Sequence, residues 1–200
     1  MNTTALFVEL LIIGAGAAIA VALAIVGLCG YEWVPLLKPV EWLILVPLLA
    51  IAYVLGIVVD RLADFPFDKW IEAARTRTFG SKDSYHQARY SVLSRHETFR
   101  FILEYGRSRL RIARGWTLNC ILIFVAMQAY AFGRLEGSAR WQVALIGGSA
   151  ITLLALSTLY ATKQLAETEL EKLKEFQKML GDPGMVGENR TPPSDSLTPS

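Results

Sequence analysis

The sequence predicts an all-α integral membrane protein with four transmembrane helices. Three observations carry that expectation. Apolar residues make up 53% of the 200-residue chain and are gathered into blocks, with a mean hydropathy of +0.37. Four uncharged windows, residues 10–31, 42–59, 115–133 and 141–162, come close to the about 20 residues that a bilayer-crossing helix needs. Basic residues are unevenly shared among the segments that join those windows, which is the pattern of a topology signal.

The resulting organisation is a transmembrane hairpin over 1–60, with spans at about 8–30 and 42–60, and a basic helical loop over 61–114. A second hairpin over 115–180 follows, with spans at 115–133 and 141–162 and a helical extension. A tail closes the chain over 181–200. The first span is expected to be retained. No Lys or Arg precedes it, as a secretory signal would require, and Leu28 is too large for a lipoprotein cleavage site before Cys29. Small residues at four-residue intervals, Gly14, Ala18 and Ala22, mark a helix-packing face on that span, and Gly148 does the same on the fourth.

Orientation follows from charge. Segment 61–114 holds twelve Lys/Arg and the segment from Lys163 onward holds five, against only Lys38, Arg134 and Arg140 in the other two connections. The positive-inside rule therefore puts both termini and the large loop in the cytoplasm of a plasma membrane protein. Tyr31, Trp33, Trp42 and Trp141 would form the outer aromatic belt, with Trp116 and Tyr160 on the inner side. Cys29 and Cys120 then lie toward opposite faces, too far apart for a disulfide.

In the large loop, the run from Phe65 to Trp70 mixes aromatics with charge and suits a short helix in the headgroup layer, with Pro66 in its first turn. A second helix is predicted from Ser84, which has capping-box spacing to Gln87, to about Arg114 and into the third span. The fourth span should overrun the membrane, because no helix breaker follows Thr162 until Gly181. Its apolar stripe of Ala166, Leu170, Leu173, Phe176 and Leu180 covers barely two heptads, less than a coiled coil requires. That stripe is available to dock a partner or to fold back on the loop helices. The tail, rich in Gly, Pro, Ser and Thr, is expected to be disordered.

Two groups of charged residues stand out as candidate sites. Glu9, Asp60, Arg61 and Arg114 border the inner ends of the spans, where a carboxylate needs a partner. Glu9 is expected to pair with Arg61 or Arg114. Arg107, Arg109, Arg111 and Arg114 form the densest run of charge, suited to anionic lipid headgroups or to a specific phosphate-bearing ligand. His86 and His96 are ten residues apart, which is the wrong spacing for two helical metal ligands. The sequence carries no catalytic signature and calls for no metal and no cofactor.

These features favour a non-catalytic scaffold or sensor that engages a cytoplasmic partner or anionic ligand at the inner leaflet. A subunit of an oligomeric ion channel is the alternative, and a lipid-modifying enzyme a weaker one. The expected partners are anionic inner-leaflet lipids, further copies of the chain and a cytoplasmic protein, and not nucleic acid, since the net charge is only +2.

Overall fold

A computed structural model describes residues 3–30, 42–95 and 97–181. The described residues are almost all helical, and none lies in a strand. The helices are α1 (Thr3–Cys29), α2 (Trp42–Phe79), α3 (Lys82–Arg95), α4 (Glu97–Arg134), α5 (Gly137–Gln142) and α6 (Gly148–Gly181), with a π-helical turn at Val143–Gly147 joining the last two. Four stretches are long and apolar enough to cross a membrane: Thr4–Cys29, Leu45–Phe79, Thr98–Arg134 and Gly137–Met179. Residues expected in the outer belt or the tail, among them Tyr31, Trp33 and 182–200, lie outside the described residues, as does His96.

The helices form an open fan rather than a closed bundle. α4 is the hub, with α1 along one side and α6 along the other. α2 packs chiefly on α1, and α1 and α6 are not neighbours. Small residues set these contacts. A Cβ on Gly14 would run into the Ala52 carbonyl, and one on Gly56 into the Leu10 carbonyl. The two backbones therefore touch, which is how helices associate closely where lipid supplies no hydrophobic drive. Between α1 and α4, Gly16 lies under the Asn119 side chain and Gly115 against Ile13. The buried Asn119 Nδ2 donates to the Ile13 carbonyl at 2.7 Å.

The expected packing series on α1 needs correction. Gly14 makes the close approach, but Ala18 is half-buried and Ala22 exposed. A strict four-residue series drifts about 40° around the helix at each step. Leu10, Ile13, Ala17 and Ala20 are the buried apolar positions instead, alternating steps of three and four and so staying on the face between α2 and α4. Gly148 does pack, against Gln128 and Phe124 of α4. Nearby, Gln128 Nε2 donates to the Ala144 carbonyl at 3.1 Å within the π-helical turn. This turn interrupts the helix that the sequence suggests is continuous.

The polar end of the fan is a second core, termed here the head. Tyr85, Val92, Leu103, Leu170, Leu173 and Phe176 are buried together, and Phe99 stacks on Phe176 with ring centroids 4.3 Å apart. The stripe on α6 is thus covered by α3 and α4 of its own chain, as one of the two readings of the sequence allowed. The Leu180 side chain lies outside the described residues.

Two expected boundaries in the loop are also corrected. α2 does not end near residue 60 to be followed by a short helix. It runs unbroken through Pro66, because Val59, Ala63, Phe67 and Ile71 form one buried stripe at four-residue steps while Pro66 sits on the exposed side. The hydrogen bond lost at Pro66, part of a penalty of about 3 kcal/mol, falls away from that packing. The helix expected from Ser84 to Arg114 is instead two. α3 begins at Lys82, with the Ser84 N–H donating to Ser81 Oγ at 3.1 Å. A straight helix would hold Tyr85 and Leu103 about 27 Å apart, yet both belong to one core, so the chain must turn between them.

Gly56→Val should destabilise the protein by about 1–3 kcal/mol or more, the cost of overpacking a tight contact. Gly133→Val, where a Cβ meets nothing within 4 Å, should be close to neutral. Thermal unfolding of the two variants in the same detergent checks the contrast.

Candidate functional site

The charged residues singled out in the sequence separate into two sets in space. The first is a clasp joining α1, α2 and α4. Arg111 Nη1 of α4 donates to Glu9 Oε2 of α1 at 3.0 Å, and Arg111 Nε lies 3.5 Å from Asp60 Oδ1 of α2. The second distance makes an ion pair but not a hydrogen bond, so Asp60 Oδ1 has no hydrogen-bond partner among the described residues. One turn on, Arg114 Nη1 pairs with Asp64 Oδ1 at 2.9 Å. Arg61 touches the other Asp64 oxygen at 3.9 Å from an exposed position. Glu9 is buried, with 4% of its surface exposed. Its partner is therefore Arg111, not the Arg61 or Arg114 expected from the sequence.

Helix periodicity explains the clasp. Asp60 and Asp64 are four apart on α2, and Arg111 and Arg114 three apart on α4, so each pair presents one face. Three carboxylates meet three guanidiniums, and the group is close to neutral. A buried pair contributes little net stability but is costly to break on one side. The clasp therefore fixes how three helices meet, with its charges paired to one another. Asp64 is the member that sequence reasoning missed, although its spacing from Asp60 was the available signal.

The second set is what remains of the arginine run. Arg109 lies over the Tyr105 ring, 5.8 Å from its centroid. Arg107 feels the charges of Arg89 of α3 and Arg75 of α2 as well as that of Arg111. Partial burial lowers the Arg107 pKa, and the neighbouring charges of Arg89, Arg111 and Arg75 push the same way, against Tyr85. Arg75 in turn sits over the Tyr85 ring at 4.9 Å. Among the described residues, Arg75, Arg89 and Arg107 form no ion pair. The nearby Glu104 is held below the usual carboxylate range by its hydrogen bond from Arg100. Three cations from three helices thus share one part of the head with no carboxylate bound to any of them. Arg75 and Arg89 could not have been picked out as members from the sequence, because they adjoin Arg107 only after folding.

At the other end of the fan, Arg134 Nε donates to the Gly27 carbonyl at 2.9 Å and its Nη2 to the Leu28 carbonyl. It caps the last turn of α1, as a cation at a helix C-terminus should. Both cysteines are free, Cys29 exposed and Cys120 buried. Among the described residues, no group of three His, Cys, Asp or Glu side chains is placed to hold a metal ion. His86 packs edge-on against Tyr85. Comparison of the chain with protein-family models, with curated proteins and with solved structures finds no match.

Glu9→Gln and Arg111→Gln should each destabilise the fold by about 3–5 kcal/mol, because each strands a buried charge. The double variant should lose clearly less than the sum of the two. Unfolding midpoints of the three variants give the coupling directly.

Proposed function

We propose that the protein is a multi-pass plasma membrane scaffold or sensor whose cytoplasmic head engages a phosphate-bearing anion at the inner leaflet. The observation that carries this reading is the convergence of Arg75, Arg89 and Arg107 without a carboxylate partner. Guanidinium groups match phosphate oxygens in geometry and keep their charge at any physiological pH. Crowding three of them costs electrostatic energy in the free protein, and an anion relieves that cost. Membrane insertion is supported by four long apolar helices. The cytoplasmic placement of the head is supported by the split of basic residues, seventeen on that side against three on the other.

A subunit of an oligomeric channel is the second reading. The observation favouring it is the apolar face of α6 and of the π-helical turn before it (Leu145, Ile146, Leu153 and Leu156 among others), which is left uncovered by the rest of the chain. That face is equally suited to lipid. Among the described residues of a single copy, the contact between α1 and α4 is closed by Asn119 and Ile13. The channel therefore needs a closed oligomer, and a monomer by native mass spectrometry in nanodiscs would remove it.

Pyrophosphate titrated into the purified protein in phosphatidylcholine nanodiscs should bind saturably. Arg75→Gln, Arg89→Gln or Arg107→Gln should each weaken binding by about tenfold or more, the scale of one charge-assisted hydrogen bond. Arg109→Gln should not. No saturable binding, or equal loss in all four variants, would remove the specific site.

Topology has its own check. Glu136 and Glu167 are exposed at opposite ends of the fan. With Cys29 replaced by serine, an impermeant maleimide should label Glu136→Cys in intact cells, and Glu167→Cys only after permeabilisation.

A further inference from the structure

α2 and α6 both pack on α4 but barely meet each other, and the gap between them is a groove of about 440 Å³. That volume lies within the about 300–1,000 Å³ of ordinary ligand pockets. Its walls are Phe67 of α2, Leu118 and Ile121 of α4, and Leu159 of α6, which offer carbon only. Thr162 also lines it, but its hydroxyl is already donated to the Thr158 carbonyl at 2.8 Å. Two lining residues remain with polar atoms to give, Trp70 and Lys163. Neither the indole N–H nor the ammonium has a partner among the described residues.

The helix registers show where these two donors lie. Asp64 meets Arg114, and Gly106 faces Glu169. Stepping along the helices from those contacts at 1.5 Å per residue, Trp70 and Lys163 are level to within about 6 Å, both toward the head. Ile121 and Leu159 lie toward the apolar end. From Ile121 to Trp70 the groove runs about 20 Å along the helix axes. It is thus long, apolar for most of its length, open to the side, and finished at the head end by a cation and a neutral donor.

We propose that this groove holds a single anionic phospholipid of the inner leaflet. One acyl chain lies against Phe67, Leu118, Ile121 and Leu159, and the phosphate rests between the Lys163 ammonium and the Trp70 indole N–H. Charge complementarity selects this occupant. A zwitterionic lipid would fill the walls equally well but would bring its own cation toward Lys163. A soluble anion would satisfy the two donors and leave the walls exposed. The inference rests on membrane insertion with the head inside, but not on the arginines of the head, which do not line the groove.

The test is retention of lipid by the intact protein, extracted in mild detergent from membranes that contain both phosphatidylglycerol and phosphatidylcholine. Native mass spectrometry should show one phosphatidylglycerol held per chain. Lys163→Gln should lower retention by about fivefold, the scale of one basic contact to an anionic headgroup. Trp70→Phe, which keeps the ring and removes the N–H, should lower it as well. Leu159→Trp should block the groove and abolish retention. Arg75→Gln, Arg89→Gln and Arg107→Gln should leave it unchanged. Unfolding midpoints near wild type identify the groove variants that remain folded. The proposal is overturned if the wild-type protein holds no lipid or holds both lipids equally. It is also overturned if folded Leu159→Trp protein retains lipid as before, or if loss follows the head arginines instead. Failure of membrane insertion shows separately, as a chain that is not recovered in the membrane fraction at all.

Discussion

Arg111 reaches from α4 to carboxylates on two other helices, and much of the arrangement depends on that one side chain. The buried Glu9 of α1 has its ion pair there, and Asp60 of α2 leans on the same guanidinium. The contact lies where the apolar part of the fan gives way to the head. It therefore fixes the angle at which α1 and α2 meet α4 at the base of the head. A purely apolar contact would allow several near-equal packings there. A charged contact allows few, because every alternative strands an ion away from its partner.

Once Arg111 and Arg114 are committed to the clasp, the chemistry of the basic run changes. As a stretch of sequence it offers four equivalent cations. In space two are neutralised, one lies on a tyrosine ring, and one joins arginines from α2 and α3. The positive charge not taken up by the clasp is thereby shared among residues of three helices rather than lying along one. A corner between helices can discriminate among anions by shape, whereas a single helix face mainly attracts them by charge.

The parts of this fold legible in the sequence are those set by local composition. Twenty apolar residues in a row mean a long apolar helix wherever they occur, and each of the four windows coincides for most of its length with such a stretch. Boundaries set by tertiary contact were not legible. Pro66 reads as a helix start, yet it lies inside α2 because Phe67 and Ile71 have a core to enter. The break between α3 and α4 has no glycine or proline to announce it and exists so that Tyr85 can reach Leu103. In the site, Glu9 was visible as a lone carboxylate beside an apolar run. Its partner was not, since Arg111 and Arg114 differ by a single turn and the helix crossing chooses between them. Gly56 and Gly106 carried a readable signal. A glycine inside a helical pattern costs about 1 kcal/mol relative to alanine, and here each makes room for a close neighbour.

α6 is keyed to α4 at two places. Gly148 accepts Gln128 near the π-helical turn, and Glu169 lies over Gly106 in the head. The two keys are about 32 Å apart along the helix, roughly the thickness of a bilayer core. α6 thus works as a ruler. A helix held by one notch can slide by a turn and find another fit. A helix held by two can do so only if both notches repeat at the same interval, and these do not. The height of the head above the apolar layer is accordingly written into the number of residues between two glycine contacts, and a single inserted residue would unseat one of them.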